Sequence, residues 1–203
     1  MVNRRRAVSV AVVLGVVLGG SATVKAQDRR ISVVVHVDDR VGLPCQDLAT
    51  AKGVVERILG NVGVSVTWAD GALSPAVTAA PSNPRQLALV ISKERTACAQ
   101  AACEQFDEVL GRAFHFLGRA EVFADQIDAA LARRSFDHKI VLGLVMAHEI
   151  GHLLLPPGSH SRSGIMRASL DFRLQGGFTR EQAEQIRGRL VSGTWTALEE
   201  ERK

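Results

Sequence analysis

Residues 140–166 read IVLGLVMAHEIGHLLLPPGSHSRSGIM and join a long apolar run to a few polar side chains. The run Ile140–Leu155 has 16 residues, and its strongly polar members are His148, Glu149 and His152. A helix that is apolar nearly all round is buried, so this run predicts a helix inside the fold. Pro156-Pro157-Gly158 ends that helix, because the first proline excludes the helical conformation at Leu155 and prolines lack backbone donors.

His148 and His152 are four residues apart, so both imidazoles project from one face of the predicted helix. Two such histidines suit one zinc ion, and Glu149 projects toward the coordination position where water would sit. A carboxylate there accepts the proton of a zinc-activated water and passes it to a leaving amine. Two histidines and a glutamate inside a buried apolar helix are costly unless a metal or hydrogen bonds satisfy them. The alternative is therefore a pair of core histidines bonded to the backbone.

A catalytic zinc site needs a third protein ligand, and the Pro-Pro-Gly turn brings the chain back to supply it. His160 follows that turn after two residues and is the predicted third ligand. The competing ligand is a carboxylate on the last predicted helix, from Glu181 or Glu184. Such a ligand would make a site of two histidines and one glutamate, of the gluzincin type.

His148-Glu149-x-x-His152, the later His160 and Gly164-Ile165-Met166 together resemble the zinc motif and methionine turn of the metzincin clan of zinc peptidases. The stretch Phe178–Ala183 extends the resemblance to a group of small exported bacterial metzincin-like proteins thought to be proteases. The resemblance implies an α+β zincin fold: a twisted mixed sheet of about four to five strands, an active-site helix and a C-terminal helix. It also implies that Met166 forms an apolar floor beneath one catalytic zinc ion.

The sequence departs from the clan pattern in two ways. Seven residues, and not five, separate His152 from His160, and Leu155 stands where the clan places a glycine. The chain has no tyrosine, which some metzincins use near the zinc. Oxyanion stabilisation would then fall to zinc and to backbone donors near Ala120–Phe123. The clan's topology makes that stretch the expected edge strand, to which a peptide substrate would add as a further strand.

The rest of the chain predicts a β-α-β start followed by shorter elements. Gly71–Pro84 is interpreted as a surface loop, and Lys93–Glu108 receives no assignment. Thr179 and Gln182 form a capping box for a helix that extends to about Leu190. The predicted strands are Ile31–Val37, Val62–Trp68, Gln86–Ser92, Ala113–Phe116 and Ala120–Ala124, and the other predicted helices are Gln46–Leu59 and Asp128–Arg134.

Residues 1–26 have the layout of a secretory signal peptide: basic residues, an apolar run and small residues before Gln27. An uncleaved anchor helix is the alternative, since the run is close to the length that spans a bilayer. Cleavage after Ala26 would leave residues 27–203 as a single zinc metallopeptidase domain, secreted or periplasmic. It would also leave 25 − 4 = 21 basic against 21 acidic side chains. This balance gives no basis for binding nucleic acid or lipid through charge.

Cys45, Cys98 and Cys103 are the only cysteines. Two of them can pair in an oxidising compartment, and the sequence does not choose which. The sequence therefore predicts an exported zinc metalloendopeptidase that acts on peptides or proteins. The alternative is an exported zinc-binding interaction domain without catalysis, which the presence of Glu149 disfavours. Substrate preference and oligomeric state are not predicted.

Overall fold

The computed structural model describes residues 31–71, 84–93, 109–132, 134–170, 172–173 and 176–192. The predicted signal peptide, most of the predicted loop Gly71–Pro84, and both Cys98 and Cys103 lie outside these residues. Cys45 is exposed and free of any disulfide in the described part. The predictions on export, on the domain boundary and on cysteine pairing therefore stay predictions.

The described part of the chain begins with the predicted β-α-β unit. β1 (Ile31–Asp39) and β2 (Val64–Asp70) are parallel neighbours, and α1 (Cys45–Gly60) connects them. Alternate residues of β1 are β-branched and buried, which is the period of two that a strand with one face on a core requires. These residues are Val33, Val35 and Val37.

Three further strands complete a five-stranded mixed sheet in the order β2-β1-β3-β5-β4. They are β3 (Gln86–Ser92), β4 (Gly111–Phe114) and β5 (Arg119–Phe123). β3 pairs with β1 and β5 in parallel, whereas β4 runs antiparallel to β5. The bounds of β3 are those predicted, and the number of strands agrees with the predicted four to five.

The prediction that Ala120–Phe123 forms the sheet edge is wrong. This stretch belongs to β5, which is paired on both sides, with β3 and with β4. The edge strand is β4, which pairs with β5 alone among the described strands. The physical reason is burial: Ala120 and Val122 of β5 are fully buried, whereas every residue of β4 is partly exposed. The more apolar of the two short strands takes the interior position.

Four helices occupy the described chain, and the longest is α3 (His138–Leu154). It begins with Asp137, whose side chain accepts a hydrogen bond from the backbone N–H of Lys139 at 3.2 Å. It ends where predicted, because Leu155 is extended at φ −110° and ψ 162° before Pro156. Thirteen of its 17 residues are buried. The prediction of a buried helix is therefore confirmed.

The other two helices flank this one along the chain. α2 (Ala124–Leu131) starts directly after β5, four residues earlier than the predicted helix Asp128–Arg134. α4 (Arg180–Ser192) begins with the predicted capping box, since Thr179 and Gln182 exchange hydrogen bonds at 3.0 and 3.2 Å. No helix in the described ranges is long and apolar enough to cross a membrane.

α3 packs closely against α1, and the position of this contact is set by Gly143. A Cβ atom at Gly143 would lie 2.6 Å from Cβ of Val54 and 2.7 Å from the carbonyl oxygen of Ala51. Only glycine allows this approach. The buried helix is thus fixed between α1 and the sheet, with its C-terminal half beside the edge strand β4.

Candidate metal centre

The last two turns of α3 bring His148 and His152 together. Their Nε2 atoms are 3.0 Å apart. His148 is 6% exposed, and its Nδ1–H donates a hydrogen bond to the backbone carbonyl of Ile165 at 2.7 Å. A carbonyl only accepts, so this bond fixes the tautomer of the neutral ring and leaves the Nε2 lone pair directed at His152. Metal-ligating histidines usually donate their other N–H in this way.

His160 reaches the same point from the loop after α3. Its Nε2 lies 3.1 Å from Nε2 of His152. The next residue, Ser161, donates its backbone N–H to the carbonyl of Met166 at 2.8 Å, which closes the loop beneath the histidines. The two residues by which this loop exceeds the clan pattern therefore do not keep His160 from the helix pair.

The three rings have the geometry of metal ligands, and the environment of the two helix histidines favours their neutral form. One ligand nitrogen from each ring falls within 4.8 Å of the others, and these histidines form the metal-binding group found in the described residues. In a tetrahedral zinc site with Zn–N bonds of about 2.05 Å, ligand nitrogens are about 3.3 Å apart, close to the values here. Burial lowers the pKa of His148 and, with the charges of neighbouring histidines, lowers the pKa of His152 to about 3. Neutral imidazoles at His148 and His152, with the ring of His160 beside them, suit a zinc ion.

Glu149 follows the first histidine and faces the edge strand. The side chain is 6% exposed, and burial raises the pKa of its carboxyl to about 8 in the metal-free site. Gly111 of β4 lies directly over it. A Cβ atom at Gly111 would be 2.6 Å from Cγ of Glu149 and 2.8 Å from its Oε1. A glycine on the edge strand thus provides the room that this carboxylate occupies, and no local pattern in the sequence indicated this role.

Met166 is fully buried and packs under α3 at Gly151, the residue before the second histidine. A Cβ atom at Gly151 would lie 2.5 Å from Sδ of Met166 and 2.8 Å from Cε1 of Phe178. The space that Gly151 leaves is filled by this sulfur and this ring. The structure therefore places Met166 against the helix segment between the two helix histidines.

Glu181 and Glu184, the competing ligands, do not join the histidine group. Both are exposed on α4, and Glu184 accepts a hydrogen bond from Nε of Arg180 at 3.1 Å. Gln182, between them, is the residue of this helix that turns toward the histidine loop.

A cleft of about 830 Å³ opens over the histidines and Glu149. The edge strand β4 forms part of its wall, and so does His115, which follows that strand in a short 3-10 turn. His115 is close enough to contribute to the lowered pKa of His152. No pattern in the sequence marks His115 as a site residue, because only the sheet topology brings it to the cleft.

No family model matches the chain, and no curated protein matches it in sequence. Solved structures are similar to it. A zinc-dependent peptidase from Methanocorpusculum labreanum is 16% identical at a TM-score of 0.50, with 76% of this chain and 99% of that chain covered. At this identity the likeness concerns the fold: the five-stranded mixed sheet and its helices match a zinc peptidase fold.

Two archaemetzincin structures are also similar. The one from Archaeoglobus fulgidus, complexed with malonate, is 15% identical at a TM-score of 0.46, with 76% of this chain and 99% of that chain covered. The one from Methanopyrus kandleri is 16% identical at a TM-score of 0.48, with 83% and 99% covered.

Proposed function

We propose that this chain is a zinc-dependent metallopeptidase of metzincin-like type, with His148, His152 and His160 as the ligands of one zinc ion and Glu149 as the general base. The observation that carries the proposal is the convergence of three Nε2 atoms, at 3.0 and 3.1 Å, beside a buried carboxyl group at the floor of a cleft. The fold shared with a zinc-dependent peptidase agrees with it.

A zinc ion on these three nitrogens would lower the pKa of water and polarise a peptide carbonyl. Glu149 would act as the general base and then as the general acid. Its carboxylate takes a proton from the attacking water and delivers it to the nitrogen of the departing amine. The pKa of the Glu149 carboxyl group is raised in the metal-free site. It would fall when a divalent cation binds beside the group, because a nearby positive charge favours the carboxylate.

The substrate backbone would pair along β4, the outermost strand of the sheet in the part of the chain that the structure describes. A peptide added there as a strand would use backbone donors and acceptors on the outer side of β4, and its path would pass over the carboxyl group beneath Gly111. This replaces Ala120–Phe123, which lies inside the sheet, as the expected binding strand. A side chain at position 111 would obstruct both the carboxyl group and the peptide.

His115 supplies a side-chain oxyanion donor in a chain that has no tyrosine. It lines the same cleft as Glu149 and His152 and stands at the end of the substrate-binding strand. An imidazole N–H donates a hydrogen bond in either tautomer. Loss of one such donor lowers kcat by about 10²-fold. His115→Ala should therefore lower kcat at unchanged zinc content, and an unaltered kcat would remove His115 from the mechanism.

The proposed function also includes export of the chain. The signal peptide in residues 1–26 would deliver the domain 27–203 to the periplasm or the medium, where it would act on peptides or proteins. N-terminal sequencing of the exported protein should give Gln27 as the first residue.

Glu149→Gln tests the catalytic role most sharply, with Glu181→Gln as the matched control. Both changes remove one carboxylate, but Glu181 is exposed on α4. With a broad peptide library, Glu149→Gln should lose about 10²- to 10⁴-fold in activity while it keeps its zinc. Glu181→Gln should keep both. A zinc-loaded parent that cleaves nothing would instead favour a zinc-binding domain without catalysis, and cleavage that survives in Glu149→Gln would exclude this base.

A further inference from the structure

Gln182 joins the C-terminal helix to the loop that carries His160. It is 6% exposed, although glutamine is usually a surface residue. Its backbone N–H donates to Oγ1 of Thr179 at 3.2 Å, and its Oε1 accepts from the backbone N–H of Thr179 at 3.0 Å. Its Nε2 donates to the carbonyl of Ser159 at 3.0 Å. The side chain of Gln182 thus binds both the start of α4 and the loop that carries His160.

The two neighbours fix the orientation of the amide. The backbone N–H of Thr179 only donates and the carbonyl of Ser159 only accepts, so Oε1 must face the first and Nε2 the second. Glutamate would serve at the helix start, since either residue completes a capping box. Glutamate has no donor for Ser159. Glutamine at position 182, in place of glutamate, is therefore needed for the hydrogen bond to the loop and not for the helix cap.

Ser159 immediately precedes His160, in a loop that is otherwise exposed. Pro156, Pro157 and Gly158 are all at the surface, and so is His160 itself. The peptide groups on either side of His160 are nevertheless held. Gln182 binds the carbonyl of Ser159, and the carbonyl of Met166 accepts the N–H of Ser161.

We infer that Gln182 is a positioning residue for the third ligand: by holding the carbonyl of Ser159 it holds the imidazole of His160 against His148 and His152. Loss of a hydrogen bond that orients a metal ligand lowers metal affinity by roughly 10- to 100-fold. The inference rests on the proposed metal site but is independent of whether the chain cleaves peptides.

The test compares Gln182→Glu with Gln185→Glu in the full chain. Both substitutions introduce one negative charge into the first turns of α4, but Gln185 is exposed. Gln182→Glu keeps the cap and places an oxygen against the carbonyl of Ser159. Zinc dissociation constants come from competition with a chromophoric chelator. Gln182→Glu should raise the constant about 10- to 100-fold, and Gln185→Glu should stay within about twofold of the parent.

The same pair in a His160→Ala background shows whether the effect acts through His160. Residues that act through one another give non-additive changes, so Gln182→Glu should then alter the constant by less than about twofold. Thermal unfolding of the metal-free variants checks that the helix is intact. If Gln182→Glu were unfolded, Gln182→Ala, which keeps the Thr179 cap, would replace it in the same cycle.

Equal zinc affinity of Gln182→Glu and Gln185→Glu would overturn the role of Gln182 and leave the metal site standing. An equal loss in the parent and in the His160→Ala background would also overturn it, because the effect would then not pass through His160. A parent chain that binds no zinc would overturn the metal site and the positioning role together.

Discussion

The helix and the loop that build the candidate metal centre hold their histidines by different means. His148 and His152 stand on a helix whose other residues are almost all buried, so core packing fixes them. His160 stands on an exposed loop, and hydrogen bonds to its flanking peptide groups hold it. Packing tolerates little change in volume, whereas a few hydrogen bonds can be lost one at a time. The helix pair should therefore be the rigid half of the site and the loop ligand the adjustable half.

Removal of one histidine from each half should give the largest difference. His160→Ala leaves a prearranged helix pair and should weaken zinc binding about 10²-fold, whereas His152→Ala leaves one helix ligand and one loop ligand and should weaken it about 10³-fold or more. The measurement is the zinc dissociation constant by chelator competition. If His160→Ala lost as much as His152→Ala, the distinction between rigid and adjustable halves would be wrong.

A methyl group added under the helix tests the packing half. Gly151→Ala forces a Cβ atom against the sulfur of Met166 and the ring of Phe178, and should destabilise the metal-free protein by about 1–3 kcal/mol. Gly188→Ala is the matched control, since nothing lies within 4 Å of its added Cβ. It should stabilise α4 by about 1 kcal/mol. Urea unfolding measures both, and equal stability of Gly151→Ala and the parent would contradict the packing argument.

The pH dependence of the metal-free protein also concerns the helix half. The pKa of His152 is lowered from 6.5 to about 3 in the folded state, so its contribution to stability is lost as the pH falls through that window. The pKa of Glu149 is raised from 4.5 to about 8, so its contribution is lost as the pH rises from the first value through the second. The two windows overlap between pH 4.5 and 6.5, where the two effects oppose each other, so stability should be greatest within that overlap.

Thermal unfolding at a series of pH values checks this balance. Glu149→Gln should abolish the decline on the alkaline side and leave the acidic decline unchanged. A parent and a variant that decline equally above pH 7 would contradict the assignment of the alkaline side to Glu149.

The sequence predicted the features that depend on residues close together along the chain. The buried helix, its proline stop and the convergence of His148, His152 and His160 follow from patterns within 27 consecutive residues, where spacing and hydrophobicity act locally. The capping box at Thr179 and Gln182 is local as well.

What the sequence did not indicate depends on pairing between distant segments. Ala120–Phe123 had the pattern of a strand, but only its pairing with β3 on one side and with β4 on the other shows that it lies inside the sheet. Gly111 over Glu149, His115 in the cleft and Gln182 on the loop are ordinary residues in their own segments. They gain a role only where the fold places them beside α3 and the loop that follows it.

The central claim is that three imidazoles, two from a buried helix and one from a loop, bind one zinc ion. X-ray absorption at the zinc edge, on the chain loaded with one equivalent of zinc, tests it most directly. The claim predicts three imidazole nitrogens at about 2.0–2.1 Å, with one lost in His160→Ala. A shell of sulfur at about 2.3 Å, or the same nitrogen count in His160→Ala, would contradict it.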